Sequence, residues 1–173
     1  MRRKDRQIDA ERARQALEEA TFATLSMCDG ETPYGIPVSF ALIGDAFYFH
    51  SAEQGRKTEV LAASPRVFVS AVNTHQVPGP ITDDEYEETM AADGSIAVFL
   101  KTHFTTEFQS ATFEGDSVRV ADAEEKRRAL RAICEKYTPF NEKYIDDAVE
   151  LGLGYTAVYR IQIENLTGKE KKL

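Results

Sequence analysis

The stretch from Pro33 to Lys57, P-Y-G-I-P-V-S-F-A-L-I-G-D-A-F-Y-F-H-S-A-E-Q-G-R-K, constrains the fold more than any other part of the chain. In its first arm Tyr34, Ile36, Val38, Phe40 and Leu42 fall on one face and Gly35, Pro37, Ser39 and Ala41 on the other, as the alternation of a strand requires. Gly44 and Asp45 supply a glycine-first turn, and Phe47 to His50 form the return arm. The pattern is a β-hairpin with one bulky face and one nearly bare.

Ser51 to Gly55 then make a short polar connection to a helix expected from Arg56 to Ala63 and stopped by Pro65. Arg56 and Lys57 sit in its first turn, where the helix dipole is already positive, so they have the wrong sign for helix stability unless an anion lies between them and the free N–H groups. A phosphate fits that description, and two solvated surface cations are the alternative. The bare face of Gly35, Pro37, Ser39 and Ala41 admits a flat ligand close to the backbone, or else faces a neighbouring strand or subunit. Side by side, the two signals favour a phosphorylated aromatic cofactor.

Along the rest of the chain, a helix capped by Asp9 is expected to run to about Ala20, followed by a strand from Thr21 to Met27 that feeds the hairpin. Arg66 to Val72 reads as a strand apolar on both faces and so buried on both. From Asn73 to His103 the pattern weakens into an excursion, either a lid or an interface element, within which Ile96 to Leu100 is compatible with a strand. Glu107 to Val120 reads as a long strand with a hairpin or bulge at Gly115 and Asp116. Asp122 and Glu125 form a capping pattern for a helix to about Tyr137, a second helix spans about Asn141 to Leu151, and Tyr155 to Ile163 closes the set as a strand. Strands joined by short turns with helices at the edges predict one domain over residues 1–173, mainly β with flanking helices, its antiparallel sheet closed into a small barrel.

Acidic residues outnumber basic ones by 29 to 21, and a net charge of −8 argues against nucleic acid or an anionic membrane as partner. Both ends are nevertheless basic, with Arg2, Arg3, Lys4, Arg6, Arg12 and Arg14 at one and Lys169, Lys171 and Lys172 at the other. The acidic residues Asp5, Asp9 and Glu11 interrupt the first run and no apolar core follows, so no targeting segment is read there and a cytoplasmic location is expected. No Rossmann or Walker glycine pattern is present. His50, His75 and His103 are scattered without metal spacing, and neither Cys28 nor Cys134 has a partner at metal spacing, so no metal site is expected. His50 is the strongest candidate for chemistry, because it ends a strand just before the presumed phosphate loop and imidazole transfers protons near neutral pH. A structural histidine bonded to loop carbonyls is the alternative.

P-V-S-F, F-Y-F-H-S-A-E-Q-G-R-K and the opening M-R-R-K-D-R-Q-I, with Q-S-A-T-F-E-G, D-A-E-E-K-R-R-A-L and Y-R-I-Q-I-E-N-L-T-G-K further on, resemble the 5-nitroimidazole resistance protein family within the pyridoxamine 5′-phosphate oxidase-like FMN-binding split barrels. The resemblance implies a six-stranded antiparallel split β-barrel. It also implies a homodimer with FMN at the two-fold interface, deazaflavin and haem being alternatives found among relatives. By the same resemblance Val38, Ser39 and Phe40 line the isoalloxazine, Ser51 and Lys57 take the phosphate with Arg56 beside them, His50 lies at the flavin as the catalytic residue, and Gln109 and Ser110 offer a polar contact from the long strand. Phe108, Gln109, Ser110 and Ala111 stand where the family often has an aromatic, Arg, Ser, Val run, a departure that bears on the contact across the dimer. The implied activity is reduction of a small electron acceptor such as a nitroaromatic compound, with NADH or NADPH as donor. A noncatalytic flavin-binding or sensing protein and a haem-binding barrel are the competing functions.

Overall fold

The computed structural model describes residues 3–92 and 96–172, with only the backbone described at Thr74 and His75. Arg2 and the side chain of His75 therefore lie outside the described residues. The elements in chain order are β1 (Gln7–Ile8), α1 (Ala10–Glu19), β2 (Ala23–Asp29), β3 (Thr32–Val38), β4 (Phe40–Ile43), β5 (Ala46–Ala52), α2 (Arg56–Ala63), β6 (Arg66–Gln76), α3 (Asp83–Ala91), α4 (Ile96–His103), β7 (Glu107–Arg119), α5 (Ala123–Tyr137), α6 (Ile145–Leu153), β8 (Thr156–Gln162) and β9 (Glu164–Lys171).

All strand pairings are antiparallel, and the sheet runs β3-β2-β6-β7-β8-β5-β4, with β9 on β7 and β1 on β9. β3 and β4 sit at opposite ends of that path yet are joined through Ser39 alone, so the sheet must curl on itself into a split barrel. The count among the described residues is nine strands rather than six. The arm expected from Tyr34 to Leu42 is two strands divided at Ser39, and the termini add β1 and β9, which are too short or too polar to show an apolar alternation.

Two apolar clusters result from this curl. Inside the barrel Leu25, Phe40, Phe47, Phe49, Val69 and Phe113 are essentially inaccessible, with Phe40 stacked on Phe47 at 4.6 Å and Phe49 on Tyr159 at 5.2 Å. Outside it, α5 and α6 cover Tyr48 and Val158 with Leu130, Ile145 and Val149. Tyr48 donates to Glu125 Oε1 (2.8 Å), which Arg160 also reaches (2.9 Å). Asp122 caps α5 through the Glu125 N–H as expected, but the Glu125 side chain serves that network instead of returning to the cap.

Two further expectations are corrected. Ile96 to Leu100 is helical, part of α4, because a short apolar run carries no period that separates strand from helix. β6 is buried on one face only: Val67, Val69 and Ala71 point into the barrel, whereas Phe68 and Val72 are 49% and 56% exposed. Gly115 lies within the continuous strand β7, where the strand leaves β9 and takes β8 as neighbour. No helix among the described residues is long and apolar enough to cross a membrane.

Candidate functional site

The barrel opens where β4 parts from β3 at Ser39. The register that pairs Phe40 with Phe49 brings Ser39, one step further, level with His50. Val38 and Phe40 are buried, at 5% and 0% exposure, so at this point only the Ser39 side chain and the backbone face outward. The backbone here is held from α5: the Phe40 N–H donates to the Tyr137 hydroxyl (3.0 Å), which donates in turn to the Thr21 carbonyl. Lys136 sits 3.6 Å from the Phe40 ring centroid, its pKa pushed down to about 8 by burial against the pull of Glu18. Tyr137 belongs to the apolar stripe legible in α5, but its hydroxyl contact has no sequence signal.

β5 carries the site onward. Strand alternation places Phe49 and Ser51 toward the barrel and His50 on the opposite face, and Ser51 is buried while His50 is exposed. Gly55 then turns the chain with φ +124°, a conformation that excludes a Cβ, and starts α2 without any side-chain cap. The first intrahelical bond, from Glu59 N–H to Gly55 O (3.1 Å), leaves the N–H groups of Arg56, Lys57 and Thr58 without helical acceptors.

The two cations of this turn diverge. Arg56 is paired with Asp29 (2.9 Å) and lies 4.4 Å over the Tyr34 ring, along a groove of about 400 Å³ bounded by Cys28, Gly30 and Glu59. Lys57 folds the other way, over Phe49 (5.8 Å), and donates to the His50 carbonyl at 3.3 Å. Lys57 has no carboxylate partner among the described residues, and burial lowers its pKa. Although His50 is solvent-accessible, partial desolvation of its ring, with the charge of Lys57 adding to it, lowers its pKa. Lys57 and the free N–H groups of Arg56, Lys57 and Thr58 thus lie at the start of α2, one short loop beyond Ser51. Ser39, His50, Ser51 and Lys57 are the predicted residues that this end of the barrel gathers.

Gln109 and Ser110 are elsewhere. Gln109 is bonded to Asn73 (3.0 Å) and Glu170 (3.3 Å), and Ser110 lines a hollow of about 280 Å³ with Phe68, Thr112, Thr167, Gly168 and Lys169 on the outer sheet face. That face runs without interruption from Gly35 and Pro37 through Thr24, Ser26 and Ser70 to Thr112 and Thr167, as the strand registers require. Its central residues are small and mostly polar, with Phe68 and Val72 exposed among them and Lys169 and Lys171 at one border. Among the described residues no group of three or more His, Cys, Asp or Glu side chains is placed to hold a metal ion.

A family model described as pyridoxamine 5′-phosphate oxidase matches residues 9–86 and 82–170. Among solved structures, a candidate 5-nitroimidazole antibiotic resistance protein from Bacteroides thetaiotaomicron is 25% identical, with a TM-score of 0.68 over 95% of this chain and 86% of that one. An FAD-binding protein from Mesorhizobium loti is 19% identical, with a TM-score of 0.61 over 96% and 98% of the two chains. An FAD- and haem-binding protein from Mycobacterium smegmatis is also 19% identical, with a TM-score of 0.71 over 97% and 74%. No curated protein matches the chain.

Proposed function

Because the chain belongs to the pyridoxamine 5′-phosphate oxidase family, we propose that it is a flavoprotein that binds FMN by its phosphate at the start of α2 and reduces small acceptors such as nitroaromatic compounds. The observation that carries the reading is Lys57, a half-buried cation with no carboxylate partner among the described residues, set beside free helix N–H groups at the end of β5. The flavin-binding relatives, the FAD-binding Mesorhizobium loti protein among them, support the same cofactor class. FMN, when bound, takes two electrons from a donor such as NADH or NADPH and passes them to the acceptor. The residues of this chain bind and orient: Lys57 and Ser51 fix the phosphate, while Ser39 and the tethered backbone of Val38 and Phe40 bound the ring. The outer sheet face supplies the second wall through a homodimer, in which Ser110 reaches the partner's site, whereas Gln109, on the opposite strand face, stays bonded to Asn73 and Glu170. Steady-state oxidation of NADH or NADPH with a nitroaromatic acceptor tests the activity, and a flavin-loaded protein inert with every donor would leave a noncatalytic binding role.

His50 is assigned to the acceptor rather than to the phosphate, since its ring lies on the strand face opposite Ser51. His50→Ala is expected to lower acceptor turnover by ~10²-fold or more while FMN content stays at the wild-type level. The lowered pKa leaves less imidazolium at neutral pH than an ordinary histidine carries, so turnover that needs its proton should rise as pH falls. Stability should move the other way. With a folded pKa below the unfolded value of about 6.5, the unfolded state takes up the proton first, so stability is lost as pH falls through 6.5 toward the folded pKa. Loss of FMN in proportion to activity in His50→Ala would instead make the imidazole a cofactor contact.

A further inference from the structure

α3 and α4 pack chiefly on each other, with Tyr86 edge-on to Phe99 at 6.4 Å and Phe99 against His103 at 4.3 Å. Met90, Val98 and Leu100 remain exposed on them, as do Val77 ahead of α3 and Phe104 after α4. α3 is also strongly acidic. Glu85 closes a capping box with Thr82, but Asp83, Asp84, Glu87 and Glu88 have no ion pair among the described residues.

The complementary charge is on the same chain. In β9, Lys169 lies opposite Ser110 and Lys171 opposite Phe108, on the outer sheet face that exposes Phe68 and Val72. Neither lysine has a carboxylate partner among the described residues, and Lys172 reaches only Glu170, at 3.5 Å. Phe108 is the second residue of β7, the strand to which the helical excursion returns, so the lysine row borders the base of the excursion. Among the described residues no ion pair joins the two helices to that row.

We propose that α3 and α4 of one copy reach onto a second copy of this chain and seat the acidic face of α3 on its Lys169, Lys171 and Lys172. The inference rests on the homodimer proposed above and adds to it a specific contact. A two-fold arrangement satisfies both charge sets at once, because α3 meets the lysines of the other copy and the reverse contact follows by symmetry. Two chains of net charge −8 repel each other, and this contact supplies local attraction at the join. It also brings the exposed apolar residues of the helices over the outer sheet face, continuous with Phe68 and Val72. The charged part of the contact is screened by salt, whereas the apolar part is not.

Mixing unlabelled with nitrogen-15-labelled protein and coupling carboxylates to amines with a zero-length carbodiimide tests this directly. Peptides joining residues 83–88 to Lys169, Lys171 or Lys172 should carry mixed isotopes. Triple reversal Asp84→Lys, Glu87→Lys and Glu88→Lys should abolish that coupling and weaken the dimer at least tenfold at low salt. Adding Lys169→Glu, Lys171→Glu and Lys172→Glu should restore both. A dimer whose couplings all join same-isotope peptides, or whose dissociation constant is unmoved by the reversal, overturns this inference alone. A wild-type chain that sediments as a monomer overturns the homodimer and this contact with it.

Discussion

Lys57→Ala is expected to weaken FMN binding by roughly ten- to a hundredfold while leaving riboflavin binding nearly unchanged. The two ligands share the ring and differ at the phosphate, so the difference isolates what the lysine does for the anion. A charge-assisted contact is worth about 1.5–3 kcal/mol, and about 1.4 kcal/mol corresponds to tenfold in affinity. Lys57 has little else to lose, since its one hydrogen bond goes to the His50 carbonyl at 3.3 Å and its side chain is half-buried rather than part of the core. The folded state should persist with the same unfolding midpoint. Fluorescence titration that shows equal losses for FMN and riboflavin would move Lys57 to the ring; no loss for either would empty the corner at α2 of its assigned role. Arg56→Ala provides the contrast, because Arg56 is committed to Asp29 and Tyr34 on the other side of the helix and should cost FMN less.

Gly115→Ala is expected to be the most damaging small substitution in the barrel. A Cβ at this position would lie 2.3 Å from the Gln162 carbonyl oxygen and 2.6 Å from Ile161 Cγ2. The nearer contact is to backbone, which cannot swing aside, and Ile161 is fully buried, so β7 and β8 would have to separate where β7 passes from β9 to β8. Overpacking of this kind costs about 3 kcal/mol or more, which at this chain length lowers the melting temperature by roughly 6–12 °C. Gly152→Ala serves as the control. Its added Cβ meets Leu130 Cδ1 at an ordinary 3.5 Å inside α6, where replacing glycine gains up to about 1 kcal/mol. Thermal unfolding that ranks the two variants equally would contradict the geometry assigned to Gly115.

The parts of the fold legible in the sequence were those in which local pattern and tertiary role coincide. The turn at Gly44 and Asp45, the start of α2 at Arg56, the caps at Asp9 and Asp122 and the long strand through Gly115 all carry their own chemistry. Ser39 was legible as a face but not as a break, because the alternation from Tyr34 to Leu42 continues unchanged while the strand exchanges β2 for β5 as neighbour. Phe68 and Val72 read as doubly buried because apolar character marks burial without saying by what. At the site, adjacency grouped Arg56 with Lys57, yet Asp29, remote in sequence, draws one cation away. The resemblance gives Gln109 and Ser110 a polar contact from the long strand, and within one chain Ser110 lies on the outer sheet face while Gln109 is bonded to Asn73 and Glu170. Ion-pair partners distant in sequence leave no local trace, and neither does the second chain that an outer sheet face requires.

On the function proposed above, this barrel carries a flavin held by its phosphate. The visible absorption spectrum of the freshly purified protein, followed by titration of the stripped protein with FMN, tests it most directly. An oxidised-flavin spectrum, bleached by dithionite, is expected, with rebinding of FMN near one per chain and affinity well above that for riboflavin. A colourless protein that takes up no FMN, or a Soret band in place of the flavin bands, would contradict it.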